Sequence, residues 1–466
     1  MRPERAGELH RPALFSAHDR CRLGLASDFS RCLLAVPKSL SVTPDGIRIV
    51  RMLRRNFIKT LGASIATGAA GQKPASGQER AHVSGRRSHD AVVVGAGVFG
   101  AWTAYHLQQA GKKVLLMDAY GPSNSRASSG GESRIIRMGY SADEIYTRWS
   151  FRALAFWKGF FQRTGVDLFH RTGVLWLAKE DDPYLQATTR VLQKASVNFE
   201  RLSPDELTKR YPQISLDGVA WGLLEPESRV LLARRAVQLV VRETLKGGAE
   251  YLQDAIVPPS AKGHLDSITT RGGDVIHGGV FIFACGPWLP KVFQELLLNR
   301  IFPTRQEVLF FGAKAGDVRF QPPAMPTWIC EGDEVYGMPD LENRGFKIAL
   351  DRHGPAFDPD TGQRLVSPEA VSKMRAYLAR RFPALRDAPV LETRVCQYEN
   401  TSNGDFLIDR HPGFDNVWLV GGGSGHGFKH GPVLGEYVAG QVLGRGSSEP
   451  RFSLASKKTA QERKVY

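Results

Sequence analysis

The chain has 466 residues, 42% hydrophobic and 23% charged, which is the composition of a globular protein of two or three domains. Its net charge of +15 is concentrated in residues 1–87, which hold 16 Lys or Arg and 6 Asp or Glu. Because the rest of the chain is nearly balanced, the composition does not predict a nucleic-acid-binding surface. Five cysteines without a C-x-x-C pair do not fit a disulfide scaffold or a zinc site.

The basic N-terminal part contains a pattern that resembles a twin-arginine export signal. Residues 54–59 read RRNFIK, and a weakly apolar run of small residues follows at 60–70. The run is too short and too rich in Gly and Ala to form a stable membrane span. We therefore expect recognition by the twin-arginine export machinery, cleavage near Ala70, and a periplasmic or extracellular protein. The alternative is an ordinary basic amphipathic helix.

Residues 1–51 show no periodicity, and Met52 stands directly before the twin arginines. We expect residues 1–51 to be a mis-called or disordered extension, residues 52–70 to be the signal peptide, and residues 71–88 to be a polar linker.

The next pattern is typical of a dinucleotide-binding βαβ unit. A strand at 90–94 runs into Gly95, Gly97 and Gly100 in G-x-G-x-x-G spacing, and a helix and a second strand follow. Asp118 ends the second strand, 23 residues after Gly95, where an acid binds a ribose hydroxyl. The helix N-terminus offers N–H groups and a positive dipole end to the phosphates. The alternative is a glycine turn in an ordinary parallel sheet.

A Ser- and Gly-rich loop at 123–133 leads into the sequence Arg-Ile-Ile-Arg, with arginines at 134 and 137. If this segment forms a helical turn, Arg134 and Arg137 lie on one side of it and face a common partner. The alternative is a pair of exposed arginines.

The remaining periodicity predicts helices separated by strands, several of which alternate as in an antiparallel sheet. Helices are expected at 144–164, 203–211, 234–246, 367–382 and 432–443, and strands at 172–178, 279–284, 302–312, 329–350, 390–399, 406–409 and 417–421. The strands from 390 onward are expected to return to the nucleotide-binding domain.

Two motifs near the C-terminus add chemistry. One is Cys-Gln-Tyr at 396–398, and the other is the run GGGSGHGFK at 421–429. Such a glycine-rich run before a helix places the backbone close to a ligand, and Lys429 adds a cation. His426 is expected to serve packing or hydrogen bonding.

In combination these motifs resemble the flavin-dependent amine oxidases of the monomeric sarcosine oxidase type, with the N-methyltryptophan, pipecolate and fructosyl amino acid oxidases nearby. The resemblance covers residues 89–453. It implies an α/β fold (α+β overall) in which a Rossmann-like FAD-binding domain joins a second, antiparallel-sheet substrate domain. The implied boundaries are 89–140, 224–300 and 390–453 for the FAD-binding domain, 141–223 and 301–389 for the substrate domain, and 454–466 for a tail.

The resemblance also assigns residues to the cofactor. Cys396 matches a cysteine bonded through sulfur to the flavin, so FAD is expected to be covalent; the alternative is an inert buried thiol. The full set of cofactor-binding candidates is Gly95, Gly97, Gly100, Asp118, Ser128, Arg134, Cys396, Gly425, Gly427 and Lys429.

The catalytic candidates follow from the same resemblance. Arg137 and Lys429 match the pair that grips the substrate carboxylate, and Arg134 lies near the flavin ring. Lys347 matches the lysine that activates oxygen, although it could also be an exposed strand residue. Tyr336 and Tyr398 match aromatic residues that line the substrate pocket.

One departure concerns Asp351, which stands where sarcosine-specific members carry a pocket histidine. An acid there disfavours a simple small carboxylate substrate, or favours a second amino group. The expected function is an FAD-dependent oxidase of secondary or N-substituted amino acids that forms an imine and reduces O2 to H2O2. Alternatives are a dehydrogenase that passes electrons to a quinone or other carrier, a non-catalytic FAD-binding protein, and an NAD enzyme.

Overall fold

The computed structural model describes residues 88–260 and 262–462. The expected export signal, its linker and the Met52 start lie outside the described residues. Within the described part of the chain, no helix has the length and apolar character needed to cross a membrane.

The described residues contain nine α-helices. In chain order they are α1 (Val98–Gln109), α2 (Glu144–Thr164), α3 (Pro183–Lys194), α4 (Pro204–Arg210), α5 (Ala233–Lys246), α6 (Leu289–Val292), α7 (Gln294–Leu297), α8 (Pro368–Arg381) and α9 (Gly431–Val442). The helices expected at 144–164, 203–211, 234–246, 367–382 and 432–443 are therefore confirmed to within a residue or two.

The strands number eighteen over the same ranges. They are β1 (Ser88–Val94), β2 (Val114–Met117), β3 (Arg134–Ile136), β4 (Phe169–His170), β5 (Val174–Ala178), β6 (Glu200–Leu202), β7 (Trp221–Glu225), β8 (Arg229–Leu231), β9 (Glu250–Leu252), β10 (Ser267–Thr269), β11 (Val275–Phe283), β12 (Ile301–Phe311), β13 (Thr327–Cys330), β14 (Val335–Met338), β15 (Phe346–Leu350), β16 (Val390–Thr401), β17 (Leu407–Arg410) and β18 (Val417–Gly421).

The first sheet has the expected nucleotide-binding topology. Its strand order is β17-β18-β11-β1-β2-β9, with β10 paired to β11. Strand β1 pairs in parallel with both β2 and β11, and its last four residues are buried. Helix α1 packs on this sheet and on α9. The strands at the centre of the sheet are therefore parallel, and the glycine turn after β1 lies at the carboxyl edge of the sheet.

Two glycines shape that turn. Gly95 adopts a φ of +109°, and a Cβ there would lie 2.3 Å from the carbonyl oxygen of Ala284. A Cβ on Gly100 would lie 1.8 Å from the oxygen of Gly95. Any side chain at either position would separate α1 from the strands, so both glycines are required by close packing.

The second sheet has eight strands in the order β16-β12-β15-β14-β13-β5-β7-β6. All its pairs are antiparallel except β13 with β5. The expectation that the strand at 390–399 returns to the nucleotide-binding domain is wrong for its pairing, because β16 pairs with β12 along almost its whole length.

A third sheet, of order β3-β8-β4, contains the Arg-Ile-Ile-Arg segment. The expected helical turn is wrong, since β3 is a strand paired antiparallel with β8. Two adjacent isoleucines favour extended backbone because their branched side chains are restricted in a helix. Arg134 is the first residue of β3 and Arg137 follows its last residue, so the two arginines do not lie one above the other on a helical turn as expected.

Candidate cofactor and substrate site

A cavity of about 530 Å³ lies at the carboxyl ends of β1 and β11 and is closed on its other side by β16 and the glycine-rich loop after β18. Nine of the candidate residues line it: Gly95, Gly97, Asp118, Ser128, Arg134, Cys396, Tyr398, Gly425 and Gly427. Gly100 instead packs behind the turn. Arg137, Tyr336, Lys347 and Lys429 lie outside this lining.

One end of the cavity has the chemistry of a dinucleotide site. A Cβ on Gly97 would have Ser129 Oγ as its nearest neighbour, at 3.5 Å, so the backbone of the turn is open to a ligand. Asp118 Oδ2 accepts a hydrogen bond from Ala96 N at 2.8 Å. Burial raises the pKa of Asp118 above its ordinary value, and backbone amides oppose that shift. The open turn, the helix N-terminus and the acid fit the expected dinucleotide.

Cys396 lies buried on β16 among cations. Its Sγ is 3.5 Å from Arg134 Nη2, and it also contacts the carbonyl oxygen of Ser128 at 3.8 Å. The charges of Lys347 and Arg394 also act on this sulfur. The sulfur therefore lies in the cavity lining, in direct contact with a guanidinium.

Lys347 lies on β15 with only 4% of its surface exposed, so it is not the exposed strand residue of the alternative. Its Nζ donates to the carbonyl oxygen and to Oγ of Ser133, both at 3.2 Å. Burial, followed by the nearby charge of Arg134, lowers the pKa of Lys347 well below its ordinary value. The side chain is a buried amine next to Cys396 and Arg134.

Arg137 and Lys429 meet at one residue, Tyr140. The guanidinium carbon of Arg137 lies 4.4 Å from the centre of the Tyr140 ring, and Lys429 Nζ lies 2.6 Å from the Tyr140 hydroxyl. Burial and the charge of Arg137 lower the pKa of Lys429 well below its ordinary value, while Asp351 and Glu225 oppose this. Two buried cations that contact the same residue have the chemistry to bind a carboxylate.

Arg134 does not take part in that pair. Its guanidinium donates to the carbonyl oxygens of Ser128 and Ser133 and contacts Cys396. The two arginines of the Arg-Ile-Ile-Arg segment thus have different partners: Arg134 contacts Cys396, and Arg137 lies over the ring of Tyr140.

Tyr336 and Tyr398 lie together, and Asp351 lies near both. Burial and the charge of Asp351 raise the pKa of Tyr336 to about 12. Burial raises the pKa of Asp351 to about 7, although Arg137 and Lys429 lower it. Asp351 therefore interacts electrostatically with the two cations, Arg137 and Lys429, and also with Tyr398, which lines the cavity.

A residue that the sequence did not indicate is Glu225, which is 1% exposed at the end of β7. Its carboxylate accepts hydrogen bonds from the backbone of Met138 and Gly139, from Trp176 Nε1 and from Ser228 Oγ. It therefore fixes the segment that carries Arg137 and Tyr140. In the sequence, Glu225 is a single acid at the end of an apolar strand. That pattern is equally typical of an ordinary exposed strand end, so it does not indicate a role in the site.

The described residues contain no cluster of His, Cys, Asp or Glu that could hold a metal ion. The site is built from cations, tyrosines and glycine-rich backbone.

This arrangement defines a flavin-binding oxidoreductase, and the chain belongs to the family of FAD-dependent oxidoreductases known as DAO, which matches residues 90–441. Among its curated relatives is N-methyl-L-tryptophan oxidase of Salmonella typhi, 32% identical over 380 residues that cover 78% of this chain and 97% of the relative. The same enzyme from Salmonella typhimurium LT2 matches equally well. The chain is therefore an FAD-dependent oxidoreductase acting on C–N bonds. This family assignment is against both the NAD enzyme and the non-catalytic FAD-binding protein.

Solved structures agree on the fold. L-proline dehydrogenase from P. horikoshii has a TM-score of 0.68 at 19% identity, covering 79% of this chain and 97% of its own. Fructosamine oxidase (Amadoriase II) from Aspergillus fumigatus has a TM-score of 0.66 at 22% identity, covering 79% and 89%. The mixed α/β fold is thereby confirmed, and the family match together with the curated relatives confirms the resemblance to flavin-dependent amine oxidases.

Proposed function

We propose that the protein is an FAD-dependent oxidase of secondary or N-substituted amino acids, which converts the C–N bond to an imine and reduces O2 to H2O2. The observation that carries the proposal is the meeting of Arg137 and Lys429 on Tyr140, next to the wall of the cofactor cavity. The relatives are N-methyl-L-tryptophan oxidases, which supports a substrate that bears a carboxylate and a substituted amine.

The two cations would bind the substrate carboxylate and fix the orientation of the adjacent Cα–H. Charge-assisted hydrogen bonds to a carboxylate contribute about 1.5–3 kcal/mol each. Their position outside the cavity lining, behind Tyr398 and near Asp351, would place the amine between the carboxylate and the cofactor. The half-buried Tyr336 and Tyr398 would exclude water from the amine, which must be neutral to be oxidised.

FAD supplies the acceptor for the two electrons of the C–N oxidation. The residues that would hold it are the open turn at Gly97, Asp118, and the loop around Gly425. Gly425 has a φ of +80°, and a Cβ there would lie 2.8 Å from the ring of Tyr398. A side chain at this position would push the loop away from β16 and open the cavity wall.

Lys347 would meet dioxygen. It is buried and held by Ser133, so its ammonium form can stabilise the negative charge that develops as O2 accepts an electron. The charges of Arg134, Arg344 and Arg394 disfavour this ammonium, so negative charge that develops beside it would be stabilised.

The experiment that tests the function uses N-methyl-L-tryptophan and the purified, flavin-loaded enzyme. Anaerobic mixing is expected to bleach the yellow flavin absorbance, and admission of O2 is expected to restore it with one H2O2 per substrate. An enzyme that is never bleached by this or any other N-substituted amino acid in a screen would contradict the proposal.

Covalent attachment of FAD through Cys396 is part of the proposal. Two observations support this: the sulfur lies in the lining of the cofactor cavity, and it is 3.5 Å from Nη2 of Arg134. In acid-precipitated protein the yellow colour is expected to stay in the pellet, and to move to the supernatant in Cys396→Ala. Cys330→Ala, another buried cysteine, serves as the control.

We also propose export through the twin-arginine pathway, with removal of residues 52–70 as the signal. The motif at 54–59 supports this. Fractionation of expressing cells is expected to place the yellow enzyme outside the cytoplasm, and Arg54→Lys with Arg55→Lys is expected to retain it inside. An intact mass that still includes the signal would contradict cleavage.

A further inference from the structure

The hydroxyl of Tyr140 lies where four side chains of the site converge, and the residue is fully buried. Lys429 Nζ is 2.6 Å away, His430 Nε2 is 2.9 Å away and His426 Nδ1 is 3.2 Å away. The guanidinium of Arg137 lies over the ring. Tyr140 is thus in contact with both cations of the proposed carboxylate clamp, which we define as Arg137 and Lys429.

The partners of His426 set the direction of these hydrogen bonds. Its Nε2 lies 3.0 Å from the carbonyl oxygen of Gly404, which only accepts, so Nε2 carries the proton. With the proton on Nε2, Nδ1 is the acceptor of this ring. The Tyr140 hydroxyl therefore donates to His426, and its oxygen accepts from Lys429.

His430 fits the same polarity. Its Nε2 faces the Tyr140 oxygen, whereas its Nδ1 is buried without a hydrogen-bond partner among the described residues. Burial and the charge of Lys429 lower the pKa of His430 well below its ordinary value, so the ring is neutral. With Nε2–H donating to Tyr140, the oxygen of Tyr140 receives two hydrogen bonds and carries increased negative charge.

Lys429 gains from that charge. One of its N–H groups donates to Tyr140 and another to the backbone oxygen of His426 at 3.3 Å, which leaves the third for a ligand. The other charged groups that act on Lys429 are Arg137, which disfavours the ammonium, and Asp351 and Glu225, which favour it.

We propose that Tyr140 is a positioning residue of the carboxylate clamp: its oxygen keeps Lys429 an ammonium that points one N–H at the substrate, and its ring seats Arg137. This inference rests on the proposed function, because it takes the clamp to bind a carboxylate. It assigns a role to a residue that carries no charge and that touches neither substrate nor cofactor in the proposal.

The test is Tyr140→Phe in the flavin-loaded enzyme, which removes one oxygen and keeps the ring under Arg137. Benzoate and indole-3-acetate are both titrated into the wild type, and the carboxylate that binds more tightly is kept as the probe. Its dissociation constant is measured from the change in flavin absorbance. We expect it to rise about tenfold at pH 7, which is about 1.4 kcal/mol, and to rise further at pH 9. The KM for N-methyl-L-tryptophan should rise more than kcat falls.

Tyr146→Phe is the matched control. Tyr146 is equally buried, its ring centre lies 5.4 Å from that of Tyr140, and its hydroxyl donates to Asp405 at 2.8 Å. Removing this hydroxyl disturbs the same packing and leaves Lys429 untouched. We expect the dissociation constant to stay within twofold of the wild type, even where the melting temperature falls as in Tyr140→Phe.

A second variant, His426→Gln, changes the acceptor of the Tyr140 proton and keeps the phenol in place. We expect weaker carboxylate binding in the same direction, by a smaller factor. If Tyr140→Phe is recovered without flavin, the role of Tyr140 is judged from His426→Gln instead, and an unchanged dissociation constant in that variant would overturn it.

Lys429→Met distinguishes the role of Tyr140 from the existence of the carboxylate clamp. If Tyr140 acts through Lys429, adding Tyr140→Phe to Lys429→Met causes little further loss of affinity. Additive losses, or an unchanged dissociation constant in Tyr140→Phe, would overturn the role of Tyr140. An unchanged dissociation constant in Lys429→Met itself would instead overturn the proposed clamp.

Discussion

Two buried lysines sit in this site, and their surroundings differ. Lys347 is held by Ser133 and is surrounded by the arginines 134, 344 and 394, all of which disfavour its charge. Lys429 is held by Tyr140, faces one arginine, and has Asp351 and Glu225 near it. In the proposed function, Lys347 would stabilise negative charge that develops during the reaction, and Lys429 would bind a ligand that is already negative. The comparison teaches that identical side chains can be suited to different tasks by their neighbours.

The largest expected effect follows from Lys347→Met. The rate constant for reoxidation of the reduced enzyme by O2 should fall about 10²–10³-fold, because the charge that develops on oxygen loses its buried cation. Stopped-flow mixing of the photoreduced enzyme with O2 measures it, and anaerobic reduction by substrate should change little. Reoxidation as fast as in the parent would favour the dehydrogenase alternative, in which another carrier accepts the electrons.

Lys429→Met should produce the opposite pattern. Loss of one charge-assisted hydrogen bond of about 1.5–3 kcal/mol raises the dissociation constant of a carboxylate about 10–100-fold. Reoxidation of the reduced enzyme by O2 should remain near the parent value. If both lysine variants impair the same step, the division of tasks between them is wrong.

Glu225→Gln should loosen the segment that carries the clamp. The amide places an N–H group against backbone donors, and a mismatched buried group of this kind destabilises by about 1–3 kcal/mol. Thermal unfolding should show a lower melting temperature, with a several-fold rise in KM. Glu227→Gln is the control, because Glu227 lies two residues away with a 61% exposed side chain. Equal effects of the two substitutions would contradict an anchoring role.

Asp351→Asn should produce the smallest effect. The folded-state pKa of Asp351 is raised to about 7, so its contribution to stability is present at acid pH and is lost as the pH rises from about 4 to about 7. The variant should lack this loss, so the difference between its melting temperatures at pH 5 and pH 8 should shrink by about 2–4 °C. Asp387→Asn, at an exposed position, should leave the difference unchanged. A wild-type difference retained in Asp351→Asn would refute the assignment.

The glycine spacing and the helical periodicity of the sequence predicted the nucleotide-binding unit and most of the helices. The turn at Gly95 and the bounds of α2 follow from local sequence, because tight turns and amphipathic helices are specified within a few residues. The pairing of β16 with β12 was not predictable in this way. It joins segments some ninety residues apart, and either sheet could have accepted a strand of that pattern.

For the site, the sequence supplied the charged residues and missed those that hold them. Lys347 and Lys429 stand in recognisable motifs, whereas Ser133, Tyr140 and Glu225 have no motif of their own. Their roles depend on which segments meet in space: Glu225 reaches Met138 and Gly139 across 86 residues or more. The predicted helical turn also failed here, since β8 draws the arginine segment into an extended strand.

The position of Cys396 has a mechanical consequence. The cysteine stands in the middle of β16, in the eight-stranded sheet, while the glycine turn that receives the nucleotide end belongs to the seven-stranded sheet. A thioether at this sulfur would make the prosthetic group a crosslink between two layers that the polypeptide joins by loops. Heat or denaturant would then have to separate the layers against a chemical bond, and the mature holoprotein would outlast its cofactor-free precursor.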